Sequence, residues 1–175
     1  MFEEDVYDAA SEQEEDDLSS TYLTLDLAGQ MLGIEVRYVR EILDRQRITL
    51  LPNAPMEVLG VVDVRGLSVP ILDIKSKLAM SGGDTGADAR IVVLELVIDG
   101  ETCTLGIEAD RVRNVEQIGR DAIEPIPSRG LRGWDARVLE GLYRRDTDLV
   151  VLINLGRLLG DTGADLDLSA GAGFF

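Results

Sequence analysis

The sequence predicts a mainly β protein in which two copies of one small module pack together, with a few short helices. Its apolar runs are short, and several alternate with polar residues at the period of two that is typical of a strand. Glycine and proline punctuate these runs, which favours small barrels over a sheet alternating with long helices. Each copy would have about 60 to 70 residues, which is small for an independent core, so we expect the copies to share one.

The first regular pattern in the sequence is that of two strands. Residues 21–27 alternate apolar and polar positions, and residues 31–35 form the return strand after Gly29. The next eight residues, 36–43, fit one or two helical turns that lead into a strand. A helical reading places Val36, Val39 and Leu43 on one face.

Residues 60–74 predict a β-hairpin. Gly66 supplies the backbone conformation that a tight turn requires. The second arm, residues 69–72, is apolar throughout and is expected to be buried on both faces, although Pro70 lacks an amide hydrogen and belongs near a strand start or a sheet edge. Arg65 is therefore presented at the tip of a stiff hairpin.

A short helix is expected directly after this hairpin. Asp73 is placed to cap it, and the helix would cover residues 75–80. Farther along, two apolar runs meet at Asp99-Gly100, a strong signal for a second hairpin.

The second half of the chain repeats the first. Residues 105–113 match residues 32–40 at L, G, I, E, V and R, an offset of 73. Gly141 and the apolar run that follows it echo Gly60 and the second hairpin arm, at an offset of 81. We interpret the two halves as copies of one β-module with about eight residues inserted in the second copy.

The formal net charge of −16 lies mainly in the two end segments. Residues 1–20 hold nine acids and no base, and residues 161–175 hold three acids and no base. Such compositions predict a disordered acidic N-terminal tail and a flexible C-terminal tail. The folded domain is expected over residues 21–160, with module one at about 21–80 and module two at about 90–160.

Composition also excludes several classes of function. The chain has no basic cluster, so nucleic acid and anionic membranes are poor partners, and no apolar run approaches a membrane span. Its acidic start is unlike a signal peptide, and we expect a cytoplasmic protein. The chain contains no histidine and one cysteine, which removes the commonest general base and the usual zinc ligands.

No catalytic or phosphate-binding motif is present. Asp63 and Asp73 flank the hairpin and form a candidate carboxylate pair, but a helix cap and a solvated strand residue are the commoner roles. Asp84 and Asp88 lack the spacing of a calcium-binding loop. We therefore expect no cofactor, no metal site and no enzymatic activity.

The remaining large or reactive apolar side chains are interpreted as core or as frayed ends. Cys103 lies in a strand-like run and is expected to be a small core residue. Trp134 and Tyr143 suit a core between modules more than a partner surface. For Phe174 and Phe175, a frayed terminus is favoured over docking.

The hairpin carries a family resemblance. An apolar arm, the pair Arg65-Gly66 and a second apolar arm with Pro70 that ends at Asp73 resemble the signature of the CheW family, the coupling proteins of bacterial chemotaxis arrays. The likeness extends over residues 22–160. It implies two five-stranded SH3-like barrels that share a hydrophobic core. It also implies a non-catalytic adaptor between the regulatory domain of a CheA-type histidine kinase and the cytoplasmic tip of methyl-accepting chemoreceptors.

The resemblance places receptor-binding residues at the hairpin. Arg65 stands at the position that the family uses against the receptor, and Val39 and Glu41 occupy neighbouring receptor-facing positions. A rigidly presented guanidinium suits bidentate contact with carboxylates or amides. Two alternatives stay open: Arg65 folds onto Asp63 or Glu41, and Val39 belongs to the core.

The kinase-binding residues implied by the resemblance precede the hairpin. Pro52, Met56 and Gly60 match this region and would form part of an exposed apolar ridge, with ordinary loop packing as the alternative. The second copy has residues 144–148 where the first has its Arg-Gly turn, so the role of Arg65 is not expected there.

Two other functions stay open. One is a paralogous CheW-like scaffold in a signalling system other than chemotaxis, with the acidic N-terminal segment as its selector. The other is a small ligand-binding β-barrel that uses Asp63, Asp73 and Arg65.

Overall fold

The computed structural model describes residues 21–83, 86–127 and 136–163. Over these residues the chain forms eleven strands in two sheets, two short α-helices and three 3₁₀ turns. The strands are β1 (Thr21–Leu27), β2 (Gln30–Glu35), β3 (Val39–Asp44), β4 (Val58–Val64), β5 (Leu67–Leu72), β6 (Arg90–Ile98), β7 (Glu101–Ala109), β8 (Arg111–Gln117), β9 (Ile123–Glu124), β10 (Leu139–Arg145) and β11 (Asp148–Ile153). The helices are α1 (Ile74–Lys77) and α2 (Leu155–Gly163), and the 3₁₀ turns cover Val36–Tyr38, Arg120–Ala122 and Ala136–Val138.

The two sheets confirm the predicted mainly β fold with two small barrel modules, although barrel two has six strands instead of the five that the resemblance implied. Barrel one has the strand order β3, β6, β7, β5, β4, and barrel two has the order β8, β1, β2, β11, β10, β9. Each barrel therefore combines strands from both halves of the chain. This differs from the expected division into residues 21–80 and 90–160. The first copy contributes its first hairpin, β1–β2, to barrel two, and the second copy contributes its first hairpin, β6–β7, to barrel one.

Three apolar clusters explain why the central strands are buried on both faces. Alternate residues of β6 point in opposite directions: Ile91 and Val93 pack inside barrel one, whereas Val92 and Leu94 enter a core between the barrels. That shared core also receives apolar side chains of β1 and α2. The predicted common core is present, and it joins the two barrels into one unit.

The sequence repeat marks a repeated close approach between parallel strands. Gly33 of β2 lies opposite Leu152 of β11, and Gly106 of β7 lies opposite Ile71 of β5. A Cβ atom on Gly33 would lie 2.6 Å from Leu152 Cδ2, and one on Gly106 would lie 2.6 Å from Ile71 Cδ1. Both glycines are needed because a side chain of the neighbouring strand fills the space where their own would stand.

The local predictions for the first copy are mostly confirmed. The predicted hairpin is present as β4–β5, and Asp73 caps α1 by accepting a hydrogen bond from the Ser76 amide at 3.2 Å. Helix α1 covers residues 74–77, not the expected 75–80. Pro70 is not on an edge strand, but β5 pairs with β7 only from Ile71 onward, so the missing amide hydrogen costs no bond on that side. The helical face shared by Val36, Val39 and Leu43 was wrong, because the 3₁₀ turn ends at Tyr38 and β3 begins directly after it.

Some expectations concern residues that the structure does not describe. The N-terminal segment 1–20, Asp84, Trp134 and the terminal pair Phe174-Phe175 all lie outside the described residues. Helix α2 runs to Gly163, three residues past the expected domain end. Among the described helices, none is both long and apolar enough to cross a membrane.

Candidate interaction surface

The β4–β5 hairpin holds its tip in a tight two-residue turn. Arg65 and Gly66 both have left-handed backbones, with φ of 51° and 85°. The carboxylate of Asp63 accepts a hydrogen bond from the Gly66 amide at 2.8 Å, which braces the turn from inside. Arg65 and Leu67 are left exposed at the tip, so the turn presents a cation beside an apolar side chain on a stiff support.

Arg65 contacts a carboxylate of its own chain. Its Nη2 lies 2.5 Å from Oε1 of Glu41 on β3, while Asp63 is occupied by the turn. The Arg65 side chain is 73% exposed and that of Glu41 is 22% exposed. Exposed ion pairs contribute only about 0 to 1 kcal/mol to stability. The structure thus brings two predicted receptor-binding residues together in a contact that an external carboxylate can replace at small cost.

Val39 lies two residues before Glu41 on β3, but a register shift between them interrupts the alternation of the strand, and Glu41 pairs with Val93. Val39 is half-buried, pairs with Leu94 of β6 and packs against the shared core. The structure therefore places Val39 partly in the core, as one of the two sequence alternatives held. We call Val39, Glu41, Arg65 and Leu67 the hairpin surface. Sequence analysis missed Leu67, which is exposed at the start of β5, directly after the turn.

The second copy has a two-residue turn at the same place, but only its first turn residue is left-handed and its charges are arranged differently. Asp146 occupies the position of Arg65, with φ of 52°. The cation comes one residue earlier: Arg145 lies 2.7 Å from Glu116 on β8, the strand that corresponds to β3. Arg145 is half as exposed as Arg65, at 33%. An ion pair between hairpin and third strand is therefore repeated, but only the first copy carries an arginine in the turn itself.

The segment before β4 exposes four large apolar side chains. Pro52 is exposed and Met56 is 96% exposed, and the preceding Leu50 and Leu51 are also exposed. We call Leu50, Leu51, Pro52 and Met56 the apolar ridge. Exposure of this much apolar surface in one segment is typical of a docking site rather than of loop packing.

Gly60 requires a correction. It is buried, so it cannot itself present a surface to a kinase. A Cβ atom at this position would lie 2.2 Å from the carbonyl oxygen of Thr49, which exchanges backbone hydrogen bonds with Val61 at 2.8 and 2.9 Å. Gly141 has the corresponding place in the second copy, with Glu124 O as its close neighbour. Gly60 thus acts structurally, by letting the strand that leads into the apolar ridge lie against β4.

A buried carboxyl group beside a partly buried one lies in barrel two, and sequence analysis missed this pair. Glu35 is 5% exposed, and Glu140 accepts hydrogen bonds from the Tyr22 hydroxyl at 2.6 Å and from the Asn154 amide at 3.3 Å. Burial, followed by the nearby Glu140, raises the pKa of Glu35 to about 7. Burial and Glu140 also raise the pKa of Tyr22. The nearest cation, Arg37, lies 2.5 Å from Glu35 Oε2 but does not offset these effects.

A second buried carboxylate fixes the junction between β7 and β8. Asp110 is 8% exposed and accepts hydrogen bonds from the Ala28 amide at 2.8 Å and from Lys75 Nζ at 3.0 Å. Lys75 also donates to the Gly82 carbonyl. Because these residues come from three separate stretches, the group is a structural clamp.

The geometry gives no support to a catalytic or ligand-binding hairpin. Asp63 and Asp73 are each engaged in a backbone turn or cap. Two open clefts, of about 450 and 200 Å³, lie on barrel one, and neither includes Arg65 or Asp63 in its lining. Within the described residues, no three His, Cys, Asp or Glu side chains are grouped as metal ligands. Tyr143 packs against the core of barrel two, and Cys103 is half-buried, with a thiol pKa that burial raises.

Comparison with known proteins identifies the family. The family model described as the CheW-like domain matches residues 21–163. The chain is 28% identical over 138 residues to the chemotaxis protein CheW of Klebsiella aerogenes, covering 79% of this chain and 80% of that protein. It is also 28% identical over 141 residues to the probable chemotaxis protein CheW of Rhizobium etli, covering 79% and 86%.

A comparison with a solved structure shows the same family likeness in the fold. The crystal structure of the scaffolding protein TtCheW from Thermoanaerobacter tengcongensis superimposes with a TM-score of 0.67 at 26% identity, covering 80% of this chain and 87% of that one. The matched region spans both barrels and ends with α2. The chain belongs to the CheW-like domain family.

Proposed function

We propose that the protein is a non-catalytic adaptor that couples methyl-accepting chemoreceptors to a CheA-type histidine kinase. The observation that carries the proposal is the exposed guanidinium of Arg65, held on a rigid turn in a chain of the CheW-like family. A rigid guanidinium loses little entropy on binding and offers a planar donor pair to carboxylates or amides.

The receptor side of the proposal is the hairpin surface. Arg65 would exchange Glu41 for acceptors on the receptor tip, and Leu67 would add apolar contact next to it. Glu41 would then be free to accept from a receptor donor. Val39 is half-buried, so it contributes mainly by setting the position of β3.

The kinase side of the proposal is the apolar ridge. Pro52 and Met56 would pack against the regulatory domain of the kinase, with Leu50 and Leu51 widening the contact. Gly60 supports the ridge from below, because it admits the Thr49 backbone that leads into it. The two partners would thus bind different parts of barrel one.

Binding of the full chain to two purified baits tests the proposal. The baits are a receptor cytoplasmic fragment and the regulatory domain of a CheA kinase from the same cell. Arg65→Glu is expected to abolish receptor binding and to keep kinase binding, with a nearly unchanged Tm, because an exposed ion pair adds about 0 to 1 kcal/mol. Met56→Glu is expected to weaken kinase binding alone.

Arg144→Glu is the matched control. Arg144 is an exposed arginine of the second hairpin that pairs with Glu124 at 3.1 Å, so its reversal changes the net charge by the same amount. Receptor binding is expected to persist in this variant. If it is lost as completely as in Arg65→Glu, binding depends on net charge and the hairpin surface is not the receptor site.

A second candidate function is a scaffold for another signalling system. The acidic segment of residues 1–20 favours it, since nine carboxylates joined to the domain would select against acidic partners. A folded protein that binds neither bait would support this candidate over the chemotaxis adaptor.

A further inference from the structure

The larger cleft of barrel one has a lining that the adaptor function does not use. It is an open groove of about 450 Å³ between β7 and the segment that follows β3, lined by Arg45, Gln46, Arg47, Ile48 and Glu108. Two guanidinium groups face one carboxylate, so its formal charge is +2 − 1 = +1. This is an unusual patch on a chain whose net charge is −16.

The two arginines differ from most others in the described part of the chain. Seven arginines there form ion pairs with carboxylates: Arg37, Arg40, Arg65, Arg90, Arg113, Arg144 and Arg145. Arg45 and Arg47 are exposed and form no ion pair within the described residues. Their two guanidinium groups therefore remain available to an anionic ligand in the groove.

The groove also continues into apolar surface. Leu50 and Leu51 lie two and three residues after Ile48, and they are 76% and 44% exposed. A ligand that fits this surface has a block of acids next to a pair of apolar side chains. Residues 3–7 of this chain, Glu-Glu-Asp-Val-Tyr, have that composition and lie in a segment with nine acids and no base.

The length of chain outside the described structure is sufficient. Twenty residues precede β1 and can span up to about 66 to 72 Å when extended. A domain of this size has a radius of gyration of about 15 Å, so the segment can reach any face of its own barrels. A tether of this kind gives effective concentrations on the order of millimolar, at which a weak charge-based contact is populated.

We propose that the acidic N-terminal segment binds this groove in its own chain, with Glu3, Glu4 and Asp5 against Arg45 and Arg47. Val6 and Tyr7 then cover Leu50 and Leu51, so the bound segment would compete with the kinase for this part of the apolar ridge. The inference does not rest on the adaptor function, since the contact is intramolecular and is read out without any partner.

Paramagnetic labelling of the full chain tests it. A spin label is attached at Ser11→Cys in a Cys103→Ser background, and signal loss is measured for backbone amides by NMR. Loss is expected at residues 45–51, reversed at 1 M salt, where the Debye length falls to about 3 Å. If the contact is within one chain, diluting labelled chains into unlabelled ones is expected to leave the signal loss unchanged.

Charge reversal locates the contact. The double variant Arg45→Glu with Arg47→Glu is expected to show no signal loss at residues 45–51. Adding Glu3→Lys with Glu4→Lys to this variant is expected to bring the signal loss back. Arg120→Glu is the matched control, because Arg120 is exposed, forms no ion pair within the described residues and lies outside the groove. Absence of signal loss in the parent chain overturns the proposal, as does loss that survives reversal of both groove arginines.

Two further outcomes also overturn it. Equal effects of Arg120→Glu and the double reversal would show attraction by net charge without a site. Signal loss that disappears on dilution among unlabelled chains would show that the segment binds a second copy.

Discussion

The buried Glu35 of barrel two predicts an unusual dependence of stability on pH. Glu35 has a pKa of about 7 in the folded protein, against an ordinary value of 4.5. A raised pKa means that folding favours the protonated acid, so this stabilisation is complete below about pH 4.5 and is lost as the pH rises through 7. A rise from 4.5 to about 7 corresponds to about 3 kcal/mol of stability, at about 1.36 kcal/mol per tenfold change.

The measurement is urea unfolding of the parent and of Glu35→Gln at several pH values. Between pH 5 and pH 8 the free energy of unfolding of the parent is expected to fall by about 2 to 3 kcal/mol more than that of the variant, from the same linkage relation. Glutamine has nearly the size of the protonated acid but does not titrate, so the difference between the two curves isolates Glu35.

A second variant tests the cause. Glu140→Gln removes a charge beside Glu35 and keeps one of the two acceptor oxygens that Tyr22 and Asn154 use. It is expected to shift the loss of stability to lower pH without abolishing it, because burial is the largest cause of the raised pKa. Parallel pH curves for the parent and Glu35→Gln would refute the reasoning.

Two further substitutions test packing and the clamp. Gly106→Ala is expected to destabilise by about 1 to 3 kcal/mol, since its Cβ would meet Ile71 at 2.6 Å, whereas Gly119→Ala, with open space around it, is expected to cost far less; equal shifts in Tm would contradict this account. Lys75→Met is expected to cost about 1 to 3 kcal/mol because it leaves the Asp110 carboxylate buried without its cation, and a Tm within error of the parent would show that the clamp adds no stability.

Local features were predictable because their signals lie within a few residues of one another. Gly66 marked the turn, Asp73 marked the helix cap, and the repeated L-G-I run marked two corresponding strands. These signals reflect backbone geometry that the side chains themselves impose. The exchange of hairpins between copies was not predictable, since a repeated pattern specifies a strand but not which sheet it joins.

The contacts of the site were harder to predict, because they join residues that are far apart in the sequence. Arg65 and Glu41 are 24 residues apart, and sequence analysis left their contact open as one of two alternatives. The pairing of Glu35 with Glu140 spans more than a hundred residues, and alternation in β2 gave no reason to expect a carboxylate inside barrel two. Gly60 was misassigned because a glycine needed for close backbone approach looks the same in sequence as one at a binding surface.

The exchanged hairpins have a consequence for how the molecule can come apart. A cut between residues 80 and 90 would give two fragments, and neither would contain all strands of either barrel. Each fragment would carry a hairpin that belongs to the other, so the halves are expected to need each other to fold and to reassemble when mixed. Equally, one copy alone would complete its barrel only by interlocking with a second, which makes the covalent chain the counterpart of a domain-swapped dimer.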